Sequence, residues 1–580
     1  MQLHVLFSEI ALNEKDITNM DNYFDLGKYS RPISTQSAEA QIWFDRGLNW
    51  SYAFHHSEAK KCFQTVIDLD PDCPMGYWGM AYAIGPYYNL MWPSYSEAGQ
   101  KEGIQQAHDF TQQALSLSKN GTPAENALIK ALAARFPQPH TTHKDDPEAE
   151  FSAWDDAYAQ AMRKAYAQFP NDNDVCALTA EAMMCRTPWK LWDLENGIPA
   201  EGTDTQEALD IIEKAFTRIE KSGGVNHPGL LHFYIHAQEM SPNPEIALKA
   251  SDTLINLLPD AGHLIHMPSH IYVLCGQYEK SLQSNIQASA ADERYTAYDD
   301  SVNIFALYKL HNLHFQVYSA LFQGRYAPAL EVAELMENMI PEEGLSHDHQ
   351  FLVNYLEAFS GMKVHVYIRF GKWQEIIDAP FPSDPDFYCV TTAMWHYAKG
   401  VAYSATGDIE NAVNQQEKFA LSLKKVPEER KIFNNTSLDI LAVAGAMLDG
   451  ELEYRRENYE VAFAHLRRTV DLYDSLNYTE PWAWMQPPRH ALGALLLEQG
   501  HVADAAAVYR ADLGIDDTLM RPAQHPNNIW SLHGYVECLE KLGQDDKAAG
   551  IRTKLEIAQA SADVTVSSSC FCRQTHSCCD

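Results

Sequence analysis

Positive charge is scarce in this chain. Its 44 Lys and Arg stand against 78 Asp and Glu, a formal net charge of −34. So acidic a surface repels phosphate backbones and anionic lipid, which excludes nucleic acid and membrane as expected partners. Long apolar runs are missing, so no bilayer span is expected. The start, Met1-Gln-Leu-His-Val-Leu-Phe7, has neither a basic n-region nor an apolar h-region. No signal peptide is therefore expected, and the chain reads as cytoplasmic. Most of the 11 cysteines stand alone, which suits buried thiols in a reducing compartment. The exception is Cys570, Cys572, Cys578 and Cys579, in a polar stretch after the last helical pattern. It is read as a disordered Cys-rich tail over 559–580. No segment alternates with the period of a strand.

What is present is repetition. Trp43, Gly47, Ala59, Phe63 and Pro71 match positions 4, 8, 20, 24 and 32 of the tetratricopeptide (TPR) consensus, a helix–turn–helix unit of about 34 residues. A turn signature recurs as Gly276-Gln-Tyr278-Glu-Lys-Ser281 and Gly324-Arg-Tyr326-Ala-Pro-Ala329. Variants begin at Gly371, Gly407, Asn458, Gly500 and Gly543, and an earlier unit contains Ala247. These units predict an all-α, TPR-like α-solenoid, a right-handed superhelix of helical hairpins over 38–558. A leader or cap is expected over 1–37. Polar loops are expected at His140–Pro147 and Phe381–Pro385. The aromatic stretch from Met75 to Trp92 reads as repeat core plus a packed loop.

Histidines occur in register with the repeats, in a cluster over about 226–318. Numbered from Ala247 as position 20, His232 is position 5, His236 is 9 and Glu239 is 12. Numbered from Ser281, His263 is 2, His266 is 5 and His270 is 9; numbered from Ala329, His311 is 2, His314 is 5 and Tyr318 is 9. Positions separated by three and four residues share one face of a helix. Neighbouring helices lie about 8–10 Å apart, so imidazoles from adjacent hairpins can converge on one or two ions. His365, His490 and His533 map to similar positions and are weaker candidates for substrate-facing or supporting roles.

The ligand set His232, His236, His263, His266, His270, His311 and His314 is almost purely imidazole. Glu239 is the one acid in register, which disfavours calcium, magnesium and carboxylate-rich di-iron sites. Imidazole suits copper, zinc, nickel or iron. Copper is the expected ion, with iron or zinc as alternatives. His232-Phe-Tyr-Ile-His236 has the spacing of a zinc-peptidase helix but no acid between the histidines. Glu239 is the candidate proton carrier and Tyr318 the candidate redox partner. Tyr234 and Tyr272 are nearer to packing residues.

Asn226-His-Pro-Gly-Leu230, His232-Phe-Tyr-Ile-His236 and Gly262-His-Leu-Ile-His-Met-Pro-Ser-His270 together resemble stand-alone TPR-domain proteins of bacteria and fungi. Trp43-Phe-Asp-Arg-Gly47, Tyr77-Trp-Gly79 and Val508-Tyr-Arg-Ala-Asp-Leu513 extend the resemblance along the chain. It implies that the histidine face lines a concave groove. Ordinary TPR adaptors hold peptide tails there with Lys, Arg and Asn, whereas these positions carry His. The expected function is a metal-dependent oxidoreductase acting on a small organic substrate, with specialised metabolism as the associated setting. The alternatives are a TPR scaffold for a peptide or protein partner and a zinc-dependent hydrolase or lyase.

Overall fold

The structure is a computed structural model that describes residues 23–142, 146–299, 305–340 and 350–573. Its helices pair in sequence into antiparallel hairpins. The first are α1 (Ala38–Tyr52) with α2 (His56–Leu69), α3 (Pro74–Ile84) with α4 (Glu97–Ser116), and α5 (Pro123–Arg135) with α6 (Pro147–Gln168). α7 (Asn173–Met184) pairs with α8 (Thr205–Ser222), and α9 (Pro228–Gln238) with α10 (Leu248–Leu254). Short α11 (Gly262–His266) and α12 (Pro268–Leu274) lead into α13 (Tyr278–Tyr298). Then come α14 (Phe305–Gln323), α15 (Tyr326–Met339), α16 (Gln350–Leu356), α17 (Met362–Arg369) and α18 (Trp373–Asp378). The last hairpins are α19 (Cys389–Ala405) with α20 (Ile409–Leu423), α21 (Ser437–Arg455) with α22 (Tyr459–Asp474), α23 (Arg489–Glu498) with α24 (Val502–Asp512), and α25 (Ile529–Lys541) with α26 (Asp545–Gln559). First helices of successive hairpins also pack together, as α19 on α21 and α23 on α25. The fold is an all-α array of the TPR type.

Local chemistry explains the hairpins. Thr122 and Glu125 form a capping box at the start of α5, and Thr436 and Asp439 form one at α21. The turn glycines Gly276 (φ 66°) and Gly324 (φ 68°) take the left-handed conformation that lets the chain reverse after a helix. In the unit at Asn458-Tyr459 that place is held by Glu457, at φ 63°. A left-handed non-glycine is strained, and the signature hid it because the glycine is replaced. The consensus small residues act by contact. A Cβ on Gly47 or on Gly79 would lie 2.8 Å or 2.4 Å from the Phe63 ring, and one on Gly493 or Gly534 would lie 2.5 Å or 2.3 Å from Tyr509. One aromatic ring thus wedges between two first helices at each of these places.

The contacts divide the chain into two compact units. Unit 1 is 1–271 with 287–305, and unit 2 is 272–286 with 306–580. The histidine cluster expected at 226–318 therefore contributes to both. In unit 1, residues 23–37 of the expected leader pack on α1 and on the start of α7: Trp50 Nε1 donates to Tyr23 OH at 2.9 Å, and Arg31 pairs with Asp172 and Asp174, each at 2.8 Å. Residues 1–22 lie outside the described residues. Two-residue antiparallel ladders, unforeseen in the sequence, join Trp192–Asp193 to Ile198–Pro199 and Lys431–Ile432 to Asn435–Thr436.

The expected disordered tail needs correction. Residues 560–573 are ordered in unit 2, with Ser569 and Cys572 each only 1% exposed. Cys570 and Cys572 are joined by a disulfide. Residues 574–580, with Cys578 and Cys579, lie outside the described residues. Among the described residues no helix is long and apolar enough to cross a membrane.

Candidate metal centre

α9 carries the first two imidazoles. Pro228 opens the helix, and the His227 side chain accepts from Leu230 N at 3.1 Å to cap it. The four-residue spacing puts His232 and His236 on one face, with ring centroids 4.8 Å apart. Both are fully buried. His232 Nδ1 lies 2.7 Å from the Tyr52 carbonyl, and His236 Nδ1 lies 2.9 Å from Glu239 Oε1. A carbonyl and a carboxylate only accept, so in each ring Nδ1 carries the proton and Nε2 the lone pair. Neither Nε2 has a hydrogen-bond partner among the described residues. Burial pushes the His236 imidazolium pKa down to about 3; burial, and then the neighbouring His236, push His232 well below the ordinary range. Both rings are neutral at pH 7, the state that binds metals.

α11 adds His263, 3% exposed, with its ring 5.0 Å from His232 and 6.5 Å from His236. One ligand nitrogen from each of these three rings lies within 4.8 Å of the others. Phe54 covers the group, with its ring 4.4 Å from His232, 5.9 Å from His236 and 5.5 Å from His263. Phe54 is held at φ 55° in the α1–α2 turn, a strained conformation for a side-chain-bearing residue. Tyr88, from the aromatic loop after α3, packs 4.9 Å from His236.

Glu239 links this trio to a second pair. Its other oxygen accepts a short hydrogen bond from His270 Nδ1, and His270 Nε2 lies 2.8 Å from His266 Nε2. One buried carboxylate therefore orients two imidazoles, the arrangement that fixes tautomer and raises basicity in metal-ligating histidines. A second support stands behind His232. Tyr52, whose carbonyl holds that ring, donates its hydroxyl to Asp174 at 2.7 Å, and Asp174 also meets Arg31 at 2.8 Å and His227 at 3.1 Å. Burial raises the Asp174 carboxyl, and Arg31 and His227 outweigh it, holding it well below the carboxylate range.

The remaining sequence candidates belong to unit 2. His311, His314 and Tyr318 lie along α14. His314 is fully buried, and neither ring nitrogen has a hydrogen-bond partner among the described residues. Its ring sits 5.4 Å from Phe359 and 6.1 Å from Phe433, and burial lowers its pKa to about 3. His311 packs 5.3 Å from Phe433, and Tyr318 packs 4.5 Å from Phe322. His365 stands 4.8 Å from Trp484. His490 belongs to a network the sequence did not announce. Asp512 accepts from His490 Nε2 at 3.0 Å, His525 Nδ1 at 2.8 Å, Asn528 at 3.0 Å and Ser531 at 2.6 Å. The far nitrogens are matched too: Arg369 lies 2.7 Å from His490 Nδ1, and Tyr473 OH lies 3.1 Å from His525 Nε2.

Glu451 lies beside Cys570 and Cys572, but their bonded sulfurs are not thiolate ligands. Phe54, Tyr52 and Asp174 were missed because their roles depend on contacts between distant parts of the chain. The only local hint at Phe54 is its place beside His55-His56.

No protein-family model matches the chain, and no curated protein matches it. Solved structures similar to it include the APC/C hetero-tetramer Cut9–Hcn1, at 12% identity over 90% of this chain and 88% of that one, with TM-score 0.27. The P58(IPK) TPR domain is 15% identical over 74% of this chain and 99% of that one, with TM-score 0.16. Naa15/Naa10 bound to HypK-THB is 12% identical over 90% of this chain and 78% of that one, with TM-score 0.18.

Proposed function

We propose that unit 1 holds a transition-metal ion on His232, His236 and His263, with Glu239, His266 and His270 as its supporting polar partners. One observation carries the reading. Two fully buried imidazoles are locked by Nδ1 and leave Nε2 without a hydrogen-bond partner among the described residues, inside a group of three ligand nitrogens. Buried polar atoms normally find partners, and a bound ion would supply one here. Copper is favoured, with iron or zinc next, because the donors are imidazole nitrogens. The activity proposed with the ion is an oxidoreductase acting on a small organic molecule. The bound ion would supply activation of dioxygen or substrate. Glu239, hydrogen-bonded to both His236 and His270, would carry the proton.

Elemental analysis of chain purified without chelators or a histidine-rich tag tests this. About one copper or iron per chain supports the oxidoreductase, and zinc shifts the reading to a hydrolase or lyase. His266→Ala with His270→Ala should weaken metal retention while the hairpins stay folded. A folded chain that never takes up metal leaves the second reading, a scaffold for a peptide or protein partner. That reading is favoured by unit 2, where α17, α21, α23 and α25 engage a non-helical segment of the same chain.

A further inference from the structure

The segment after α26 does not run off into solvent. Asp563 accepts from Tyr326 N at 2.6 Å and Ala327 N at 2.9 Å, capping α15. From there the chain turns inward. The Ser569 hydroxyl donates to the His490 carbonyl at 2.8 Å and meets Tyr509 OH at 2.5 Å. Arg369, at the end of α17, donates to the Ser569 carbonyl, and Arg455, at the end of α21, donates to the Cys572 carbonyl. Phe571 lies over Gly371, where a Cβ would come within 2.8 Å, and its ring is 6.0 Å from that of Trp530 on α25. Arg573 closes the run on Glu537 with two bonds, at 2.7 Å and 2.9 Å.

This pattern differs from a core helix or strand. The segment has no helix or strand of its own; it ends in a turn over Cys570–Arg573, where Arg573 N donates to the Cys570 carbonyl at 3.2 Å and Cys570 is bonded to Cys572. Its main-chain carbonyls are met by arginine side chains from two hairpins. One aromatic enters a place kept open by a glycine, and one basic residue meets an acid. Carbonyls read by side chains, with one aromatic anchor and one charge pair, form a contact set by which a surface can recognise a peptide. We infer that this face of unit 2 is a peptide-docking site held closed in cis by residues 568–573, and that its partner in trans is a segment of the same chemistry: small hydroxyl residues, then a tight turn that presents an aromatic and, two positions on, a basic residue. The inference rests on the scaffold reading and is independent of the metal. The linker between α26 and the docked run is 560–567, so the segment is tethered to the face it occupies, and its high local concentration keeps a free competitor out.

The probe is a fluorescent synthetic peptide of residues 564–573, oxidised so that Cys570 and Cys572 are joined as in the chain, and measured by polarisation against the full chain. Wild-type chain should bind it weakly. Full chain carrying Phe571→Ala and Arg573→Glu releases its own segment and should bind the probe at least about tenfold tighter, since the half-buried aromatic anchor and the charge pair together account for at least that much. A probe with Phe571→Ala should not bind. Equal binding of the two probes leaves a scaffold but overturns the stated partner chemistry. No binding by the doubly substituted chain, with its helical circular dichroism intact, overturns both. Hydrogen exchange of wild-type chain is the second measurement. Amides of 566–573 should open by local release, faster than those of α23. Exchange of the segment only through global unfolding would make it a structural plug and overturn the inference.

Discussion

Each unit contains a buried carboxylate flanked by two imidazoles, and the two are completed differently. In unit 2, Asp512 accepts from His490, His525, Asn528 and Ser531, and the far nitrogens of the two rings meet Arg369 and Tyr473. Every acceptor is used, and Arg369 supplies a compensating charge. Burial raises the Asp512 carboxyl, but His490 and His525 outweigh it and keep it well below the carboxylate range. In unit 1, Glu239 accepts from His236 and His270, and the rings beyond lead to more imidazole nitrogens. The ring nitrogens beyond Asp512 are met by side chains, whereas Nε2 of His236, beyond Glu239, and Nε2 of neighbouring His232 have no hydrogen-bond partner among the described residues. A fully satisfied buried network rigidifies the core, and a buried polar atom left unsatisfied is costly unless a ligand completes it.

Removing the carboxylates should separate the two most strongly. Asp512→Ala strands the buried Arg369 and two imidazoles, so it should cost about 3–5 kcal/mol, read from the denaturant midpoint, with or without metal. If the loss is below about 1 kcal/mol, the Asp512 network is not structural.

Acid comes next. His236 titrates at about 3 and His490 at about 4 in the folded chain, both pushed down mainly by burial. Unfolded imidazoles take protons below about pH 6.5. The unfolded state therefore binds more protons, and stability falls from about pH 6.5 downward. The depressed Asp512 adds a further loss below about pH 4. Since His232 and His236 resist protonation while folded, a bound ion should leave with the acid unfolding transition. Release near pH 6.5 from a chain that remains folded would contradict buried ligands.

Glu239→Gln should act on the unit 1 site alone. An amide keeps one acceptor for two imidazoles, and loss of such a supporting carboxylate lowers metal affinity about 10–100-fold. Competition with a chromophoric chelator reads this. An unchanged affinity would mean that Glu239 does not orient the ligands.

The smallest effect concerns His314 of unit 2, whose ring nitrogens have no hydrogen-bond partner among the described residues. His314→Phe fills nearly the same space between Phe359 and Phe433 and removes two unsatisfied polar atoms. It should stabilise metal-free chain by about 1 kcal/mol in a thermal or denaturant melt. Destabilisation of that size would mean the ring has a partner it needs.

The comparison also separates what was legible in the sequence. Hairpins, glycine turns and the Gly47–Phe63 packing follow from short-range spacing, so the repeats announced them. The shared face of His232 and His236, and the nearness of Glu239, follow from helical periodicity alone. The Phe54 ring packed on the trio, the Tyr52 carbonyl behind His232 and the Asp512 network join residues tens to hundreds of positions apart, and no period marks such pairs. The segment around Ser569 and Phe571 looked disordered because it is polar and lacks a helical pattern. It is ordered because arginines on other helices meet its carbonyls. Glu457 shows the limit within the repeats, where an acid takes the strained turn that glycine takes elsewhere.

The account turns on whether the lone pairs of His232 and His236 are ligands. Metal-free full chain and the His232→Ala, His236→Ala variant should be titrated side by side with copper and with zinc, following heat and bound ion per chain. Wild-type chain should take up about one ion at a site the variant lacks, and excess ion should raise its stability by about 2.7 kcal/mol at a hundredfold over Kd. Identical isotherms for the two chains, with no gain in wild-type stability, would contradict it.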